Sequence, residues 1–163
     1  KKVGPPKFTD KEKTFAKQLM ATLESGDVEN ALRYFKLARE EAGDLCDKIF
    51  DQVEGPSSKG NLMSDSTDVG DVSQITPTGR FTVCCEPLGI AEHSWQDTAS
   101  CGSDIGFKGM IQATRVLALT ALDLMTKPNV LRAAHDEFEK VTGTKKYVSP
   151  LPEGVTPPTQ RGV

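Results

Sequence analysis

One segment constrains this chain more than any other. Phe81-Thr82-Val83-Cys84-Cys85 is a continuous run of aromatic, β-branched and cysteine residues, closed by Pro87 and Gly89. That is the pattern of a strand covered on both faces. It is also the only clear strand signal in the sequence, and a lone strand leaves its backbone N–H and C=O groups without partners. The run therefore predicts a sheet whose other strands are weakly signalled or belong to further chain. With helical periodicity nearly everywhere else, the expectation is an α/β fold: a helix-rich segment carrying a few strands of a mixed sheet.

The helices announce themselves by caps and stripes. Thr9 can cap a helix opening at Asp10, and Glu12 completes a capping box. Phe15, Leu19 and Leu23 then give one apolar face, and Gly26 stops it. Asp27 starts a second helix with Ala31, Phe35 and Ala38 on its apolar face and Gly43 as its cap. Residues 44–50 are ambiguous, and the glycine- and serine-rich stretch 54–65 reads as an exposed loop. Ser103 or Asp104 can cap the longest helix, Ile105 to Met125. Its second half is apolar on most sides (Val116, Leu117, Leu119, Ala121, Leu122, Leu124), which predicts a central, largely buried helix. Gln112, Arg115 and Asp123 interrupt it, so it is not a membrane span. Pro128 opens the last helix, with Leu131, Ala134, Phe138 and Val141 as its stripe and Gly143 as its end.

The chain has 163 residues, which suits one domain with a single core. Residues 1–7 read as a linker and the proline-rich residues 147–163 as an extended tail. The linker-like start without a methionine suggests one part of a longer protein. A net charge of −3, with no basic cluster interleaved with aromatics, argues against nucleic-acid and anionic-membrane partners. The cysteines, Cys46, Cys84, Cys85 and Cys101, form no C-x-x-C pattern. Reduced thiols in a cytoplasmic protein are the simplest reading.

Two segments could carry chemistry. In Ser66-Thr67-Asp68-Val69-Gly70-Asp71-Val72-Ser73, carboxylates, hydroxyls and a glycine crowd a loop that leads toward the predicted strand. Gly70 permits close backbone approach, and the carboxylates can hold a cation or orient a ligand. An ordinary turn loop with Asp and Ser bonding nearby amides has the same composition. In Glu92-His93-Ser94-Trp95, His93 follows the strand's end, where ligand-binding groups concentrate in α/β sheets. Imidazole is the commonest transition-metal ligand, although a lone histidine is usually a surface residue. His135, beside Asp136 and Glu137, reads as a solvated helix residue. A Cys101–His93 nucleophile pair is conceivable from spacing alone. No nucleophile elbow, phosphate loop or H-E-x-x-H is present.

Several of these runs together resemble amidohydrolases of the p-aminobenzoyl-glutamate hydrolase B-subunit type. The residues that carry the resemblance are 66–73, Thr76-Pro77-Thr78, His93-Ser94-Trp95-Gln96, Lys108-Gly109-Met110, Ala121-Leu122-Asp123-Leu124 and 146–155. It extends over nearly the whole chain, least clearly across 27–60. Asp65 stands where that pattern has glycine before Ser66. The wider family contains aminoacylases, carboxypeptidase G and indole-acetyl-amino-acid hydrolases.

The resemblance implies that residues 1–163 are the C-terminal part of a di-metal peptidase catalytic domain, without its N-terminal half or its lid and dimerisation domain. It implies two divalent ions, zinc or manganese, an N-acyl amino acid or short peptide as substrate, and a homodimer for the intact protein. His93 matches the family's last metal ligand, whereas Asp68, Gly70 and Asp71 match its active-site loop and are expected to line the pocket or support ligands. The other ligands and the glutamate base belong to parts not in this sequence, so the chain alone should be inactive and holds no catalytic residue of its own. The competing reading is a stand-alone helical interaction or scaffold domain without catalysis.

Overall fold

The computed structural model describes residues 2–24, 26–34, 49, 53, 67–143 and 145–155. Among these, all regular structure is helical: α1 (Asp10–Met20), α2 (Asp27–Tyr34), α3 (Val69–Val72), α4 (Trp95–Cys101), α5 (Asp104–Thr126) and α6 (Pro128–Thr142). The chain divides into two compact units, Lys1–Asn61 with Phe81–Leu122, and Leu62–Arg80 with Asp123–Val163. The expected Phe35–Ala38 face, the Gly43 cap, Cys46, the loop 54–65 and Ser66 lie outside the described residues.

In the first unit, local chemistry sets α1. Glu12 donates its backbone N–H to Thr9 Oγ1 at 3.4 Å, and Thr9 donates its own to Glu12 Oε2 at 2.6 Å. Glu12 also takes an ion pair from Lys108 Nζ at 2.7 Å. Burial pushes its carboxyl up, but the bonds from Lys108 and Thr9 outweigh that and hold it below its ordinary value. Lys108 further donates to Lys7 O at 2.9 Å, and Gln112, which is buried, donates to the carbonyls of Val3 and Gly4. The segment that reads as a linker is thus strapped along the first half of α5. Ala16, Ile49 and Ile105 form the packed centre, with Phe8, Phe15 and Cys84 against it.

The structure departs from two expectations. Phe81–Cys85 forms no strand, and among the described residues the mixed sheet is absent; one antiparallel bridge joins Ile49 and Pro87. Ser100, fully buried in α4, donates its hydroxyl to Cys85 O at 2.9 Å. The Cys84–Cys85 backbone rests directly on α5 at Gly109, where an added Cβ would lie 2.5 Å from Cys85 Sγ and 2.6 Å from Cys84 O. Phe81 and Thr82 are exposed, so the run is not covered on both faces.

The second departure concerns α5. Its buried residues are Ile105, Gly106, Gly109 and Gln112, all in the first half. Leu117 and Leu122 remain more than half exposed, and Met125 is 84% exposed. Among the described residues little covers this part of the helix, so its apolar composition is not matched by burial.

The second unit contains α3, the end of α5, and α6. Pro128 stands in the first turn of α6, as proline's missing N–H allows, and Gly143 ends it with φ of +64°. Ala134 and Phe138 are half-buried, while Leu131 and Val141 are exposed. No helix among the described residues is long and apolar enough to cross a membrane.

Gly109→Ala decides between two effects. Alanine gains about 1 kcal/mol in helix propensity, but its methyl would meet a backbone carbonyl that cannot rotate away. A net loss of about 1–3 kcal/mol, as for other overpacked sites, is expected in denaturant unfolding. Gly70→Ala, where a Cβ meets open space, should leave stability unchanged or raised. The exposed second half of α5 leads to a separate expectation: the 163-residue chain on its own self-associates or binds a hydrophobic dye. A monodisperse, dye-negative monomer in sedimentation would contradict it.

Candidate functional site

His93 sits in the loop between the Phe81–Cys85 run and α4. Ser94 caps α4: its Oγ accepts the Asp97 N–H at 3.1 Å. Asp97 answers through its side chain, whose Oδ2 accepts the His93 N–H at 3.1 Å. This reciprocal pair holds His93 at φ of +64°, the only non-glycine residue at positive φ among those described. Such a conformation persists only where surrounding bonds over-determine it, and it is a common mark of functional sites. The His93 residue is exposed.

Asp97 gathers more than the His93 backbone. Its Oδ1 accepts the Cys101 thiol at 3.2 Å, and its carboxylate lies close to that of Glu86. Donor atoms of Glu86, Asp97 and Cys101 all lie within 4.8 Å of one another. His93 is not one of these mutually close donors; the structure brings its backbone to Asp97. Glu86 Oε2 is buried without a hydrogen-bond partner. Burial, then the charges of Asp97 and Glu92, raise the Glu86 carboxyl to about 7. Burial and Asp97 push the Cys101 thiol up to about 11.

This arrangement permits a direct test of fit to a divalent cation. Two carboxylates and a thiol suit zinc, and a buried, orphaned carboxylate oxygen among like charges is a place that a cation would relieve. The donor set fits one such ion, with His93 on the same loop; among the described residues no comparable group serves a second. The Cys101 thiol donates to Asp97 at 3.2 Å, so its hydrogen-bond partner in this arrangement is a carboxylate, which favours the protonated thiol, and not the His93 imidazole that a Cys–His nucleophile pair would use.

Asp68, Gly70 and Asp71 come together on α3, all exposed. Asp68 stands at the N-cap without a side-chain bond, and Ser73 Oγ donates to Gly70 O at 2.7 Å. Tyr147 Oη donates to Asp71 Oδ1 at 2.5 Å. His135 is exposed on α6. A cavity of about 640 Å³ beside the N-terminal strap is lined by Glu12, Lys108, Gln112 and Arg115 among others, and by none of the candidates. Sequence reasoning missed Glu86 and Asp97. The Ser94-x-x-Asp97 capping spacing could have flagged Asp97, whereas nothing in the sequence marks Glu86.

Nearly the whole chain is similar to one part of a known hydrolase. It is 32% identical over 164 aligned positions to the B subunit of p-aminobenzoyl-glutamate hydrolase from Escherichia coli (strain K12). That alignment covers 94% of this chain and 33% of the relative, so the chain spans about a third of the relative's length. No family model matches the chain, and no solved structure is a significant match. The runs around Asp68–Asp71 and His93 are therefore read beside homology to a hydrolase.

The raised Glu86 carboxyl predicts an inverted pH dependence of stability, measured in the presence of a chelator. The folded state holds this proton more tightly than the unfolded chain does. Stability therefore falls as pH rises from the ordinary carboxylate range, and the loss is complete above about 7. The contribution is on the order of 1–2 kcal/mol once solvent screening is allowed for. Thermal unfolding at pH 5 and pH 8 should show the decline in wild type and a flatter profile in Glu86→Gln. Equal slopes would contradict the assignment.

Proposed function

We propose that this chain is the C-terminal part of the catalytic domain of a metal-dependent amidohydrolase. Its substrates are N-acyl amino acids or short peptides, aminobenzoyl-glutamate among them. The observation that carries this reading is the similarity of 94% of the chain to part of a p-aminobenzoyl-glutamate hydrolase. The donor set beside His93 supports a metal-dependent chemistry, with zinc or manganese as the ion. The remaining catalytic half and the lid and dimerisation domain are supplied by further chain, the intact protein is a cytoplasmic homodimer, and residues 1–163 alone are inactive.

In this reading each residue has a definable task. His93 is a metal ligand, offered by a loop whose backbone Asp97 fixes. Glu86 from the preceding loop and Asp97 and Cys101 from α4 supply oxygen and sulfur donors within 4.8 Å of one another, and binding displaces the protons now held on Glu86 and Cys101. When bound, a divalent ion lowers the pKa of a water and polarises the amide carbonyl. Asp68, Gly70 and Asp71 line the substrate pocket, where Gly70 leaves the backbone uncovered and the two carboxylates accept hydrogen bonds from substrate N–H groups.

His93→Ala in the full-length enzyme should remove most turnover and lower the metal content of the purified protein. A loss of ~4 kcal/mol of transition-state stabilisation corresponds to roughly a thousandfold in rate. Asp68→Asn should cost about 10–100-fold, the range for residues that orient ligands, and His135→Ala should change nothing. Release of free amino acid from an N-acyl substrate measures all three. Near-normal turnover and metal content in His93→Ala would remove His93 from the site, and an absence of amide hydrolysis in the wild-type enzyme would favour a scaffold role instead.

A further inference from the structure

The acidic loop and the C-terminal tail meet at one bond. Asp71 lies on α3, and Tyr147 stands just beyond α6, 76 residues later. Both belong to the same compact unit. Tyr147 is half-buried, and its phenol donates to Asp71 Oδ1 at 2.5 Å. The loop's internal bonds settle its backbone but not this carboxylate. Ser73 N–H reaches Val69 O at 2.9 Å, Asp71 N–H reaches Asp68 O at 3.1 Å, and Ser73 Oγ reaches Gly70 O. Among the described residues, the phenol is the hydrogen-bond donor that meets the Asp71 side chain.

An exposed aspartate on a single helical turn has free rotamers, and a ligand that uses it must first order it. A donor fixed on one oxygen removes most of that freedom and leaves Oδ2 as the acceptor for an incoming group. A phenol suits this task because it is rigid and stays protonated well above neutral pH. The Asp71 bond itself, with a small contribution from burial and the carboxylate charge, holds the Tyr147 proton more tightly still.

We infer that Tyr147 is a positioning residue: it fixes the Asp71 carboxylate so that its second oxygen accepts a hydrogen bond from the substrate, making the tail part of the binding pocket. The inference rests on the reading above in which Asp71 lines that pocket. The group it recognises is an N–H donor of an N-acyl amino acid or short peptide, and its effect falls on binding more than on the chemical step.

The test uses the full-length enzyme with Tyr147→Phe, Asp71→Asn and the double variant. Tyr147→Phe should raise KM about tenfold with kcat little changed, the loss associated with one hydrogen bond to a charged group. In the Asp71→Asn background the same change should have less than about a twofold effect, because the two act as a unit. A second readout is independent of activity: NMR of ring-labelled tyrosine, with the Tyr147 signal assigned by its loss in Tyr147→Phe. Its phenol should titrate at higher pH in wild type than in Asp71→Asn. Equal KM effects of Tyr147→Phe in both backgrounds, or a phenol titration indifferent to Asp71→Asn, would overturn the positioning role while leaving the pocket reading intact. Normal KM and kcat in Asp71→Asn, with the phenol shift present, would overturn both.

Discussion

The first unit depends on how closely backbone can approach one edge of α5. At Gly109 the Cys84–Cys85 chain lies against the helix, and at Gly106 the helix meets the carbonyl of Cys101, where a Cβ would sit 2.2 Å from the oxygen. Dispersion falls steeply with separation, so a helix edge without side chains gains contacts that a bulkier one would forfeit. This approach also substitutes for a sheet. The Cys85 carbonyl, which a ladder would have satisfied, takes the buried Ser100 hydroxyl instead. Glu86 follows directly and is carried into the cluster with Asp97 and Cys101. The placement of the donor atoms is therefore a by-product of two glycines and one serine that carry no chemistry themselves.

Asp97 shows how one side chain can serve local structure and a candidate site together. It sits at the third position of α4, where a carboxylate favours the positive end of the helix. It completes the cap with Ser94 and fixes an uncommon backbone at His93. Both of its oxygens are engaged, and the proton held on Glu86 lets two neighbouring carboxyl groups coexist. The electrostatic tension there arises because Glu86, Glu92 and Asp97 converge with no described cation beside them.

What was legible in the sequence follows the range of the interactions. The Thr9–Glu12 box, the start at Asp27, proline in the first turn of α6 and the end at Gly143 are all local, and each appears as expected, whereas the first helix ends at Met20 with Ala21 as its cap, short of the stop expected at Gly26. The homology to a hydrolase was legible too, because its motifs are short and ordered. The Phe81–Cys85 strand was not, since strand character depends on pairing partners rather than on composition. The same blindness affected α5, whose composition suits burial while its covering cannot be read from the helix itself. The Glu86 group and the Tyr147–Asp71 bond join residues by tertiary placement, which no spacing rule reports.

The Cys101 thiol carries one more consequence. Exposed cysteines are usually the first to be alkylated or oxidised, because reaction requires the thiolate. A thiol held at about 11 presents only ~10⁻⁴ of itself as thiolate at pH 7. Cys101 is therefore chemically quiet although exposed, its proton held first by partial burial of the sulfur and then by the bond to Asp97 and the neighbouring carboxylate charge. A side chain of this kind can stand at the molecular surface in reducing or mildly oxidising surroundings without being consumed, and it becomes reactive only when the charge around it changes.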